Sequence, residues 1–309
     1  MTRRLLELGA QPDCSMGSAS RGRTPLQAAA ERGHFEIVRL LIEYGANAAV
    51  LGRKTALIRP VLQAGADVNA PPAASGGRTA LQAACRDGDL TTAKLLIDAG
   101  ADVNGSPATI SGSTPLSYAV KCQNIELVQA LIQHGATPNH TGDLDSGTAL
   151  QIAVSYQSSD LIRLLLDAGA NINAPAGNSG GRTALQHAVE CGNFNLVQQL
   201  IDAGADVNAP SSPTEGTTAL QAAAGAGYLG IAIKLLEAGA SVNESPSPQG
   251  SRTALQEASM HGRLDMVKLL LNTGLNRDGV RELWFQSAIA LALDSGHFAI
   301  AEMLSNHVR

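Results

Sequence analysis

A six-residue word, Thr-Ala-Leu-Gln-Ala-Ala at Thr79, returns along this chain at a nearly fixed interval, and that recurrence constrains the fold more than any other feature. Versions of it begin at Thr24, Thr79, Thr114, Thr148, Thr183, Thr218 and Thr253, and from Thr79 onward the starts lie 34 or 35 residues apart. Each start is followed 21 residues later by a glycine, at Gly45, Gly100, Gly135, Gly169, Gly204, Gly239 and Gly274, most of them opening Gly-Ala-Asp-Val-Asn or a near variant. A unit this short cannot bury its apolar face alone, so the copies must stack and share a continuous core.

Within one copy the residue types dictate a helix pair. The Thr hydroxyl accepts from free backbone N–H groups at a helix start, and Pro or Ala follows where no donor is needed. That helix is short, because a Gly nine residues after the Thr (Gly33, Gly88, Gly192, Gly227 and Gly262) breaks it into a tight turn. A second helix follows, as in Ile37-Val38-Arg39-Leu40-Leu41-Ile42, with apolar residues at i, i+3 and i+4 facing the stack. The closing Gly supplies its left-handed cap. Composition points to thin, closely packed helices: 44% of residues are hydrophobic but only 3% aromatic, so Ala, Leu, Ile and Val carry the apolar mass.

This spacing and wording resemble the ankyrin repeat over essentially the whole chain. The resemblance implies an all-α repeat solenoid of helix-turn-helix repeats with hairpin-like finger loops, and a protein-interaction scaffold rather than an enzyme. One departure is systematic: the family's His after Thr-Pro-Leu is Gln here, at Gln27, Gln82, Gln151, Gln186, Gln221 and Gln256. Gln also donates and accepts, so bonds to loop backbone survive the change. Gln-bearing arrays of this kind resemble those of large fungal proteins. The expected organisation is a partial repeat at 1–22, a full repeat at 23–52, a truncated one at 53–77, six regular repeats at 78–277 and an atypical capping repeat at 278–309.

Three irregularities interrupt the array. Residues 3–13 match only the second helix and loop of a repeat, which exposes an apolar face and points to a segment of a longer protein, or to self-association through the N-terminal end. In the truncated repeat, Thr55 to Gly65 spans 10 residues instead of 21, and Pro60 forbids a continuous helix through the gap. A notch or hinge is expected there, and an enzyme or small-molecule site would lie there if the array carried one; an altered gene model is the plain alternative. In the last repeat, Trp284 and Phe285 are expected to plug the core.

A net charge of −5 argues against a nucleic-acid partner, because neutralising phosphates requires a positive field over the contact face. No apolar run reaches about 18 residues and the start lacks the features of a secretory signal, so no membrane partner is expected and the cytoplasm is, with the nucleus as the other compartment. Cys14, Cys85, Cys122 and Cys191 fall in different repeats, so reduced thiols are expected. No two histidines stand three or four residues apart as helix-borne ligands do, and neither a metal nor a cofactor is expected. Gly225-Ala-Gly227-Tyr-Leu-Gly230 matches the dinucleotide fingerprint only in its letters, since that fingerprint requires a preceding strand. No catalytic residue is assigned.

In arrays of this family the partner lies against the concave face of finger loops and first helices, so position within the repeat selects the side chains. The residue before the Thr is basic at Arg23, Lys54, Arg78, Arg182 and Arg252, a row suited to carboxylates on an acidic or extended protein partner. The alternative for each Arg is structural, bonding finger carbonyls or the Asp and Asn of Asp-Val-Asn. The seventh and eighth residues after the Thr change character along the array, from Arg86/Asp87 to Ser155/Tyr156 and Met260/His261. Arg86, together with an apolar middle-to-late patch of Tyr156, His187, Met260 and His261, completes the expected binding residues.

Overall fold

The computed structural model describes residues 77–98, 100–106, 112–140, 147–177, 181–212, 216–244, 252–273 and 279–308, with Asn69 and Pro72. The N-terminal partial repeat, the repeat at 23–52 with Arg23, and the truncated stretch from Lys54 to Gly65 lie outside the described residues. Two compact units divide the chain: Met1–Ala153 with Asp160–Ala170, and Val154–Ser159 with Asn171–Arg309.

Helices come in pairs, and the described residues hold no strand. The pairs are α1 (Ala80–Arg86) with α2 (Leu90–Asp98), α3 (Pro115–Lys121) with α4 (Ile125–Gln133), and α5 (Ala149–Ser155) with α6 (Ser159–Asp167). They continue with α7 (Ala184–Glu190) and α8 (Phe194–Asp202), α9 (Ala219–Ala226) and α10 (Leu229–Glu237), and α11 (Ala254–Met260) and α12 (Leu264–Asn272). A last pair, α13 (Gly279–Asp294) and α14 (Phe298–Val308), has a first helix of 16 residues where the others have 7 or 8. The fold is an all-α repeat solenoid.

Each first helix starts where the Thr places it, and the Gln contributes as much as the Thr. Thr79 accepts from the Gln82 N–H at 3.2 Å while the Gln82 side-chain oxygen accepts from the Thr79 N–H at 2.9 Å. This reciprocal capping box satisfies two otherwise orphaned donors, and it recurs at Thr183/Gln186, Thr218/Gln221 and Thr253/Gln256. The same side chain then reaches the loop: Gln82 Nε2 donates to the carbonyls of Gly105 and Ser106, both at 3.0 Å. Gln186 does likewise to Ala209 and Pro210. The loop bond follows the sequence expectation at Gln82 and Gln186, whereas Gln221 Nε2 is buried without a hydrogen-bond partner among the described residues; the capping half was legible in Thr-X-X-Gln.

Stacking joins like to like. First helices pack on first helices, α1 on α3 and α7 through α9 and α11 to α13, and second helices follow suit, α2 on α4 and α8 through α10 and α12 to α14. The Ala five places after each Thr makes the first contact close, and Ala84, Ala119, Ala188, Ala223 and Ala258 are all 0% exposed. Second helices bury a stripe such as Leu196, Val197 and Leu200. The inter-helix turn is left-handed at Gly88, Gly192, Gly227 and Gly262, with φ between 67° and 80°. It is also left-handed at Gln123 (φ 56°) and Gln157 (φ 54°), the same position in repeats that lack the glycine. Stacking therefore imposes the turn even on a side chain that disfavours it.

Among the described residues a ladder of asparagines ties four loops to the next repeat. Asn104 Nδ2 donates to the Gly135 carbonyl at 3.0 Å and its Oδ1 accepts from the Thr137 N–H at 2.8 Å. Asn69, Asn173 and Asn208 make the same pair of bonds, to Gly100 and Asp102, Gly204 and Asp206, and Gly239 and Ser241. The last Asn of Asp-Val-Asn is thus a strut between repeats, bonded to the carbonyl of the helix-ending glycine. In the final pair Phe285 is buried and stacks on His307 with centroids 6.1 Å apart, whereas Trp284 is only half-buried. The Trp284 carbonyl accepts from Gln256 at 3.3 Å, so α13 backbone stands where loop backbone stands in earlier repeats.

Candidate interaction surface

The residue before each Thr lies at the mouth of a first helix, and the described arginines there all have side-chain partners within the protein. Arg78 donates from Nε to the Tyr118 hydroxyl at 3.1 Å and lies over its ring, Cζ 5.5 Å from the centroid. Lys121 approaches the same ring, Nζ 5.8 Å from the centroid, and donates to Ser113 Oγ at 2.9 Å. Two cations thus approach one aromatic ring. Arg182 pairs with Glu190 and reaches the Gly181 carbonyl at 3.1 Å. Arg252 pairs with Glu257 at 3.4 Å, and His261 Nδ1 lies 3.4 Å from the other oxygen of that carboxylate.

The four Asp-Val-Asn or equivalent asparagines with both ladder bonds are committed elsewhere, so the arginines turn to a tyrosine and two glutamates of the first helices. Tyr118, His187 and Glu257 occupy the same place, four residues after the Thr, where Ala83 and Ala222 stand in other repeats. Sequence reasoning singled out only His187 among them. The signal was present as departure from Ala at a first-helix position.

The remaining expected residues fall as follows. Arg86 pairs with its neighbour Asp87 at 3.1 Å on the surface, and such exposed pairs contribute about 0–1 kcal/mol, too little to hold the guanidinium against a competing carboxylate. Tyr156 is 47% exposed; Met260 is half-buried and His261 exposed at the end of α11. Tyr156, His187, Met260 and His261 belong to one compact unit with Arg182 and Arg252, while Arg78 and Arg86 belong to the other. His187 is half-buried, and burial holds its ring below the usual 6.5, with Glu190 pulling up and Arg182 pushing down. Burial first, then Cys122, pushes the Cys85 thiol well above the ordinary range; burial first, then Glu190, raises Cys191. Both therefore stay protonated and poor nucleophiles at neutral pH.

Among the described residues no group of three or more His, Cys, Asp or Glu is placed to hold a metal ion, and no helix is long and apolar enough to cross a membrane.

Stacked helix pairs on a constant framework define a helical repeat protein. The ankyrin repeat family model, which describes three copies, matches residues 1–104, 47–142, 139–211, 176–246 and 210–279, and the chain belongs to the ankyrin repeat family. Repeats of this family generally mediate protein–protein interaction and are typically non-enzymatic. A search of the curated proteins found no match.

Proposed function

We propose that this chain is a protein-interaction scaffold whose partner lies against its finger loops and first helices, held by shape and charge without catalysis. The observation that carries this reading is the contrast between constant and variable positions in the same helices. Thr, Leu and the buried Ala repeat unchanged, whereas the eighth residue after the Thr, exposed or half-buried in every described repeat, runs Asp87, Cys122, Tyr156, Cys191, Ala226, His261. A surface that varies on an invariant support is what recognition of a non-repeating partner requires. Arg78, Arg182 and Arg252, with Arg86, Tyr156, His187, Met260 and His261, are the residues assigned to contact, and an acidic or extended partner suits the arginines.

The test is capture from native extract by the intact chain and by a variant carrying Arg78→Glu, Arg182→Glu and Arg252→Glu, with circular dichroism confirming equal helix content. A protein held by the first and lost by the second supports the reading. Equal capture by both removes the arginine row from the surface, and capture by neither removes the scaffold.

A further inference from the structure

The repeat that begins at Thr218 departs from its neighbours on a different surface, the exposed beginnings of the second helices. In three other repeats the residue opening the second helix caps it, Asp89, Asn124 and Asn193 each accepting from a backbone N–H three residues on at 3.0–3.1 Å, whereas Arg263 in the following repeat, like Tyr228 here, makes no such bond. Tyr228 stands there in this repeat, and α10 has no side-chain cap. Two places further, where Glu126, Asp160, Asn195 and Asp265 stand in other repeats, this one has Gly230. Three beyond that, in place of Lys94, Arg163, Gln198 and Lys268, it has Ile233. All three replacements lie on solvent-exposed positions, and each works against the fold: a lost cap, a poor helix former inside a helix, and an apolar β-branched side chain in water.

These residues form one patch within the Asn171–Arg309 unit. Tyr228, Ile233 and Phe194 are 37%, 40% and 45% exposed. The Phe194 ring lies beside Gly230, 3.9 Å from where a Cβ would stand, and the Tyr228 ring lies across Gly192, 2.8 Å from a Cβ there. Continuing the same way, Arg263 lies across Gly227 and donates from Nε to the Gly225 carbonyl at 3.3 Å. Arg263 is exposed, and its guanidinium forms no ion pair among the described residues. The patch therefore runs over α8, α10 and α12. Neighbouring helices lie about 8–10 Å apart, so it is roughly 20 Å long, the length of three to four helical turns.

We infer that Phe194, Tyr228, Leu229 and Ile233 dock an amphipathic helix of a partner protein, with a carboxylate beside its apolar stripe set against Arg263. Charge complementarity selects that occupant: the patch itself has lost its polar residues, and the charge at its Arg263 edge is a cation with no ion pair among the described residues. This surface is separate from the fingers and first helices and does not depend on the reading given to them.

The probe is a fluorescein-labelled leucine helix with glutamates on its polar face, compared with the same helix carrying lysines, titrated against the whole chain. The glutamate helix is expected to bind about ten-fold or more tightly than the lysine helix. Gly230→Asp with Ile233→Lys, which install residue types already tolerated at these positions in the array, should weaken it by about ten-fold or more, and Arg263→Gln should abolish the preference for glutamate. The finger variant Arg78→Glu, Arg182→Glu, Arg252→Glu should bind it unchanged. No binding, equal binding of the two helices, or equal binding to the Gly230→Asp, Ile233→Lys variant overturns the inference. So does a concentration-dependent dimer of the chain that Ile233→Lys dissolves, since the occupant would then be a second copy.

Discussion

The pair α7/α8 and its neighbour α9/α10 have the same capping box, the same asparagine strut and the same buried stripe, yet their surfaces have almost nothing in common. Around α7/α8 stand His187, Glu190, Cys191, Asn193, Asn195 and Gln198; the equivalent residues around α9/α10 are Ala222, Gly225, Ala226, Tyr228, Gly230 and Ile233. The capping box, the strut and the buried stripe match, so none of these three accounts for the surface difference. It separates what the stack needs from what the stack is used for.

The largest effect should test the equality of the supports. Leu200→Ala and Leu235→Ala, both at fully buried residues, are each expected to cost about 2–5 kcal/mol by urea unfolding. A much smaller loss at Leu235 would break the comparison, because α10 would then not be an equivalent support. Next, Asn173→Ala and Asn208→Ala should each cost about 1–2 kcal/mol, the loss of two inter-repeat hydrogen bonds apiece, and unequal losses would again count against matched frameworks.

The surfaces should then diverge in sign. Asn193→Ala removes the α8 cap and is expected to destabilise by about 1 kcal/mol, whereas Tyr228→Asn should stabilise by a similar amount by giving α10 the cap it lacks. Gly230→Ala should stabilise by about 0.5–1 kcal/mol, since its new Cβ meets only the Phe194 ring at 3.9 Å. Losses instead of gains at these two positions would mean that Tyr228 and Gly230 serve the fold after all.

The smallest effect concerns pH. His187 titrates below 6.5 in the folded chain because burial disfavours its charged form, so between the folded value and 6.5 the unfolded chain holds more protons. Stability therefore rises with pH across that window and is lost as pH falls through it. The unfolding midpoint should fall on acidification more in the wild type than in His187→Gln. Equal slopes would show that His187 is as solvated as in the unfolded chain.

Much of the support was legible before any coordinates. The Thr-X-Leu-Gln word, the glycines at fixed offsets and the Leu and Val stripe predicted helix pairs that begin and end where they do, because capping and apolar periodicity join residues within a few places of one another. The arginine row was legible as a row, but Tyr118 as the partner of Arg78 was not, since it stands in the following repeat; Glu190 and Glu257 lie within the repeats of Arg182 and Arg252, and their signal was present in the sequence. The patch of Phe194, Tyr228 and Ile233 was equally hidden. Its members look like scattered apolar residues until α8 and α10 are laid side by side.

The sequence by itself determined the repeating unit, its caps, its buried stripe and the stacking that one-sided helices demand. Tertiary structure alone decided the left-handed turns at Gln123 and Gln157, the asparagine struts and the lie of Tyr228 and Arg263 over the preceding repeat's glycine. The physical reason is separation along the chain. Those bonds join residues 31 to 38 places apart, and only the fixed stacking distance between repeats brings such pairs within reach.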